Sequence, residues 1–251
     1  FLPGQYWSLG LLDDTKTKLI KRAYSISSSI IDLVNENLIL QRDSKFLEFY
    51  INRVSTNQNK REQITPKIFS LNTGDKIYCG EKIVGHYIVN NPKKWKNILL
   101  ISTHTGESPN NNIVNQLLLK SFNLNICNIN IGKSDWESLY KKEHSLLEKL
   151  YSNYKFTQFL DSSEKYSDIS SFIESAFRDK IFALNNLGFY PDPATTLIML
   201  CGDPLMIGAP IKKGGFNILT PDYGLINILV EKSFELTTRF KEGNIIYESY
   251  W

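Results

Sequence analysis

The chain has 251 residues, enough for two domains of ordinary size, and its 42% hydrophobic and 22% charged content is that of a globular protein. A net charge of +3 is too small to point to nucleic acid, and no uncharged apolar run reaches the roughly 18 residues of a membrane span. Three cysteines and three histidines, without C-x-x-C or metal-ligand spacing, argue against disulfides and a metal site and fit a reducing cytoplasm.

The opening FLPGQYWSLG has neither the basic nor the apolar region of a signal peptide. An apolar strand starts almost at once, so the sequence reads as beginning inside a domain, with a segment missing before it. Short β-rich runs follow at 5–12, 47–54 and 75–81, separated by turn signals near Asp13, Asn57 and Gly74. Their spacing predicts an antiparallel barrel, with 37–44 as an excursion between strands. The pattern changes at Asn90–Pro92, which divides the chain into domains at 1–91 and 92–251.

Beyond that boundary the apolar runs NILLIS, LNICNINI, KFTQFL and TTLIMLCGD read as buried strands. Helices are expected in NIVNQLLLKSF, across 135–154 with Asp135 as its cap, as one helix over 167–188 stopped by Gly188, and from Tyr223 to Phe240. The last strand is NIIYESYW. Alternating strands and helices predict a parallel sheet covered on both faces, so the fold class is α/β plus β. No G-x-S-x-G motif supports a serine hydrolase.

Within KRAYSISS, Arg22 and Tyr24 share one face of a strand, and Ala23 and Ser25 the other. An exposed Arg–Tyr pair is the plain reading. The chemical reading is a flavin platform. A guanidinium pairs with a diphosphate through two bonds, a tyrosine ring stacks on a flat ring, and a hydroxyl bonds a ring nitrogen. Cys201, read alone, is a small core residue.

The segments GQYWSLGL, RAYS, LEFY, ITPKIFSLNTGDKI, FIES, MLCGDP and YESYW, in this order, resemble the bacterial ferredoxin (flavodoxin)–NADP reductases over almost the whole chain. The resemblance implies an FAD-binding β-barrel followed by a nucleotide-binding α/β domain. It implies FAD contacts from Arg22, Tyr24, Ser25, Tyr50, Thr65, Thr105, Tyr250 and Trp251. It places Thr103, Gly106, Pro109, Lys133, Ser163, Cys201, Gly202, Asp203 and Pro204 at the nucleotide, and Ser25, Cys201 and Glu248 along the transfer path. The implied reaction moves electrons between NADPH, or NADH, and ferredoxin or flavodoxin. Lys16, Lys18, Lys21 and Arg239 are candidates for attracting an acidic carrier. Neither nucleic acid nor a membrane is an expected partner.

Three departures stand out. His104 replaces a family glycine, and Glu107 is expected to add negative charge near the phosphates. Of three arginine positions for the 2′-phosphate, this chain has Lys133, Ser163 and Asp168, which predicts weak preference between NADPH and NADH. The segment 212–233 is longer than its family counterpart. An NAD(P)H-dependent flavin or quinone reductase, or a flavin-binding electron-transfer module, remain alternatives on the same scaffold.

Overall fold

The computed structural model describes residues 1–28, 31–40, 43–53, 64–120, 123–133, 139–163, 165–209, 211–213, 216–218 and 224–250. The first half is built on a hairpin. Strand β1 (Tyr6–Leu12) pairs antiparallel with β2 (Leu19–Ser25), from Tyr6 opposite Ser25 to Leu12 opposite Leu19. The turn between them is tied by Asp13, whose Oδ1 accepts the Thr17 N–H at 2.9 Å and the Lys18 N–H at 3.2 Å. A short aspartate side chain that bonds the backbone a few residues on suits this turn.

A small hairpin follows, β3 (Ile31–Asp32) against β4 (Asn37–Leu38), and then the short helix α1 (Ile64–Ile68). Leu11, Ile20 and Ile64 form a small core there, with Tyr24 against it. Strand β5 (Tyr78–Cys79) joins the free side of β1. The expected strand at 75–81 is shorter than its sequence run. Asp75 donates from its backbone to Asn72 O and accepts the Asn72 N–H, so 72–75 is a turn and pairing starts at Tyr78. Within the expected strand at 47–54, the described residues contribute the bridge of Phe49 to Ile26. The antiparallel sheet is as anticipated; among the described residues it has three strands, extended by single bridges at Ile26–Phe49 and Tyr6–Val84.

The second half is a parallel sheet of β6 (Asn97–Thr103), β7 (Asn125–Gly132), β8 (Tyr154–Leu160), β9 (Thr196–Gly202) and β12 (Ile245–Ser249), ordered β8-β7-β6-β9-β12. Every residue of β6 and β9 is buried, as the continuous apolar runs predict. Ile98, Leu100 and Met199 face α2 (Glu107–Leu119) and α3 (Lys141–Leu150), which bring Val114, Leu117 and Leu147. Leu99, Ile101 and Leu200 face the opposite core, filled from α4 (Ser167–Arg178), α5 (Lys180–Leu187) and α7 (Leu225–Glu231). After β9 come the single turn α6 (Pro204–Ile207) and the backbone hairpin of β10 (Ile211–Lys213) with β11 (Phe216–Ile218).

Four helices differ from the sequence reading. The helix expected from Asn112 begins at Glu107. The helix expected over 135–154 runs from Lys141 to Leu150, and Asp135, its expected cap, lies outside the described residues. The helix expected over 167–188 is two helices. Asp179 is extended between them and accepts the N–H groups of Ile181 and Phe182 at 2.8 and 3.1 Å. Aspartate is a far better N-cap than helix-interior residue, which explains the break. Gly188 ends α5 at φ 84, as anticipated. The last expected helix stops at Glu231 instead of Phe240, and Ser233 takes a φ of 68. Among the described residues no helix is long and apolar enough to cross a membrane.

Candidate functional site

Strands β6 and β9 are neighbours, but the chain leaves them in opposite directions, to β7 on one side and β12 on the other. Such a switch point opens a crevice outside the carboxyl ends of the strands, where open α/β sheets hold their ligands. Thr103 ends β6 there, and its Oγ1 accepts the Asp203 N–H at 2.8 Å. Gly202 has φ 123, and a Cβ on it would lie 2.2 Å from Thr103 Oγ1. A Cβ on Gly106 would lie 2.4 Å from Cys201 O. Only glycines allow the two loops to meet this closely. Asp203 accepts the Leu205 N–H at 2.8 Å and the Tyr166 hydroxyl hydrogen at 2.9 Å, so its carboxylate is fully engaged in shaping the turn that begins with Pro204.

The three residues expected on the transfer path come together. Glu248 lies opposite Cys201 in the β9–β12 register. Tyr250 donates its N–H to Gly202 O at 2.9 Å and its hydroxyl hydrogen to Ser25 Oγ at 2.7 Å, joining residues 225 positions apart in sequence. Burial lifts the Glu248 carboxyl from 4.5 to about 7, and its Oε2 has no hydrogen-bond partner among the described residues. Burial first, and then the nearby Glu248 charge, push the Cys201 thiol well up. Burial first, then the charge of Cys201 and a hydrogen bond with it, raise the Tyr250 phenol, with a smaller push from Glu248, although its bond to Ser25 works the other way.

On β2, Arg22 is exposed and donates to its neighbour's carbonyl, Lys21 O, at 2.9 Å. Tyr24 is half-buried, with its hydroxyl 3.2 Å from Thr65 Oγ1. Burial raises its phenol, partly offset by that contact and by Arg22. Tyr50 meets the ring of Tyr140 edge-on at 6.1 Å. Thr105 is half-buried in the turn His104–Gly106 that leads into α2, and Pro109 is buried in the first turns of that helix. His104 has φ 47, a left-handed conformation that a glycine would take without penalty. Trp251 lies outside the described residues.

The residues expected around a 2′-phosphate lie beyond the ends of β7 and β8. Lys133 and Asp168 are exposed. Ser163 is occupied: its hydroxyl donates to Asp161 Oδ1 and accepts the Ser167 N–H at 2.9 Å. Glu107 corrects the sequence reading. It is fully buried and turned inward, 3.0 Å from His144 Nε2, so it places no exposed charge at the crevice. Sequence reasoning also missed the contacts by which the two halves grip each other. Ser27 Oγ donates to Tyr140 Oη at 2.8 Å, Tyr140 donates to Glu48 Oε1, and Tyr87 donates to Asn110 Oδ1 at 2.8 Å. No spacing rule connects partners 92 or 113 residues apart.

No protein-family model matches the chain. The curated flavodoxin/ferredoxin–NADP reductase of Buchnera aphidicola subsp. Baizongia pistaciae is 26% identical over 252 aligned residues, covering 100% of this chain and 88% of its own length. The enzyme of the same name from Buchnera aphidicola subsp. Schizaphis graminum is 22% identical, again over 100% of this chain and 88% of its own length. Over its whole length the chain is similar to flavodoxin/ferredoxin–NADP reductases. Solved structures share its fold. A ferredoxin NADP+ reductase from Neisseria gonorrhoeae with bound FAD and NADP superposes with a TM-score of 0.71 at 16% identity, covering 99% of this chain and 87% of that one. The ferredoxin-NADP+ reductase from Plasmodium falciparum with 2′P-AMP gives 0.63 at 18% identity, over 100% and 83%. The expected pairing of an antiparallel sheet with a parallel one is therefore the arrangement of this reductase family.

Proposed function

We propose that the chain is a cytoplasmic FAD-dependent reductase passing electrons between NADPH and ferredoxin or flavodoxin. In this reading residues 1–91 hold FAD and residues 92–251 hold the nucleotide. The observation that carries it is the meeting of Ser25, Tyr250, Cys201 and Glu248 at the switch point.

The donor set fits the cofactor. Arg22 offers an exposed fork suited to a diphosphate, and Tyr24 offers a ring whose hydroxyl is held by Thr65. FAD, when bound, supplies the conversion between the hydride of a nicotinamide and the single electrons of a protein carrier. The protein's own part is binding, orientation and proton handling. Because Ser25 Oγ accepts from Tyr250, its own hydrogen is left to donate elsewhere. Glu248, titrating near 7, holds or releases a proton at Oε2 around neutrality. Cys201 stays a neutral thiol and forms part of the crevice floor. Gly106 and Gly202 let the two loops pack directly against each other at that floor. Exposed Lys16, Lys18, Lys21 and Arg239 supply positive charge for an acidic carrier.

Anaerobic titration with NADPH and with NADH, following flavin absorbance, tests the reading. Reduction of cytochrome c with and without added ferredoxin then tests the carrier. A yellow protein bleached by NADPH, with carrier-dependent cytochrome c reduction, is expected. A flavin indifferent to both nucleotides overturns the enzyme reading. Carrier-independent reduction favours the flavin or quinone reductase instead. The engagement of the Ser163 hydroxyl with Asp161 favours appreciable use of NADH.

A further inference from the structure

Glu107 is the first residue of α2 and follows directly on the His104–Gly106 turn. Its carboxyl group is fully buried; Oε1 lies 3.0 Å from His144 Nε2, while Oε2 has no hydrogen-bond partner among the described residues. The His144 ring is equally buried, stacked on Phe156 with centroids 4.0 Å apart, and its Nδ1 lies 2.7 Å from the Tyr154 hydroxyl. Both of its nitrogens are thus committed. One turn earlier on the same helix, Tyr140 bonds Ser27 and Glu48, just past the strand that carries Ser25. The start of α3 therefore grips the segment after β2 with one side chain and the loop after β6 with another.

A buried carboxylate with one oxygen unpaired is an expensive way to fill space. The turn before it is also strained, since His104 is held at φ 47. A non-glycine residue stays in that region only where its surroundings over-determine it. On one side the turn is fixed by Gly106 against Cys201 O, and on the other by Glu107 against His144.

We propose that Glu107 and His144 are a positioning pair for the pyridine nucleotide: their bond holds the 104–106 turn against Cys201 and Gly202 and so sets the affinity of the crevice. This rests on the reading of the crevice as the nucleotide site. Neither residue touches the reacting atoms; both act through the turn.

The test is the dissociation constant for NADP+, measured by calorimetry on FAD-loaded protein, beside stability in urea. His144→Leu strands a buried charge, so stability falls and NADP+ binds on the order of tenfold more weakly, the loss of one hydrogen bond's worth of positioning. His144→Gln keeps a donor toward Glu107 and recovers most of both. The double variant Glu107→Leu/His144→Leu removes the charge altogether, so stability returns while binding stays weak. NADP+ affinity that recovers with stability in the double variant overturns the proposal, because the pair then acts through folding alone. So does wild-type affinity in His144→Leu. Wild-type protein that binds no NADP+ removes the nucleotide site itself and this proposal with it, whereas wild-type binding with indifferent variants removes only the positioning pair.

Discussion

Burial lifts the Glu248 carboxyl from 4.5 to about 7, which ties stability to pH with a definite sign. Below 4.5 the folded and unfolded chains both carry the proton. Between 4.5 and about 7 the unfolded chain loses it while the folded chain keeps it, so stability falls as pH rises across that window and then levels off. The gap between 4.5 and about 7 corresponds to about 3 kcal/mol. Glu248→Gln should lack this slope and be the more stable protein at pH 8; urea denaturation at pH 5 and pH 8 checks it, and parallel pH profiles for the two proteins would refute it. Arg22 poses a different question, because its guanidinium is exposed and its role rests on a diphosphate partner. Removing a guanidinium from a desolvated charge pair costs about 2–5 kcal/mol, so Arg22→Ala should purify with little flavin. Stoichiometric FAD of unchanged affinity in that variant would remove Arg22 from the cofactor site. At this scale the sequence was readable wherever a residue's chemistry matched a local rule. His104, standing at a family glycine, does adopt a left-handed φ of 47. Glu107 was misread, because the sequence pattern starts a helix only at Asn112 whereas α2 begins at Glu107. Five residues of error at a helix start turned a buried side chain into a loop charge.

Elements were legible where burial is uniform and obscure where polar side chains decide. Strands β6 and β9 carry continuous apolar runs and are buried throughout, so their place in the sheet was plain. The break between α4 and α5 was hidden, because it depends on one aspartate bonding two backbone amides and the apolar periodicity runs straight through it. The same loop-level dependence gives a prediction at the end of β9. A methyl group on Gly202 would meet Thr103 Oγ1 at 2.2 Å with φ at 123, whereas one on Gly188, at φ 84, would meet open space. Both substitutions carry the backbone penalty of roughly 1–2 kcal/mol for a non-glycine residue in the left-handed region. Only Gly202→Ala adds a clash, between the two loops of the crevice. It should therefore lose more stability than Gly188→Ala and weaken NADP+ binding, which Gly188→Ala should leave alone. Equal thermal shifts and equal dissociation constants for the two variants would count against the crevice as the nucleotide site.

For the whole molecule, the proposed site of nucleotide choice lies beyond the ends of β7 and β8. Lys133 and Asp168 are exposed there, and the Ser163 hydroxyl already serves Asp161 and Ser167. Converting Ser163 and Asp168 together to arginine should raise the ratio of kcat/KM for NADPH over NADH by tenfold or more, since one bond to a charged group contributes about 1.5–3 kcal/mol. Part of the stability that the Ser163 cap gives α4 should be lost, about 1 kcal/mol. Ferricyanide reduction with both nucleotides measures the ratio; an unchanged ratio in the double variant would show that the 2′-phosphate sits elsewhere. The passage from an antiparallel sheet to a parallel one was legible from the change in strand pattern along the chain. The contacts across it were not, because Ser27 to Tyr140 and Tyr87 to Asn110 join residues that no local periodicity relates.

The hydrogen bond from Tyr250 to Ser25 also has a temporal side. It links a hairpin that is synthesised early to a strand synthesised much later. Until β12 has been translated and has docked beside β9, Cys201 has no Glu248 across from it and Ser25 has no phenol to accept from. Closing so long a loop is slow, because its entropy must be given up before any contact repays it. The β1–β2 hairpin, whose contacts are local, can form early, while the cluster of Ser25, Tyr250, Cys201 and Glu248 assembles only after β12 has docked. During biosynthesis the nascent chain therefore passes through a stage in which the strand bearing Arg22 and Tyr24 is formed but the carboxylate and phenol of the last strand are not yet in place.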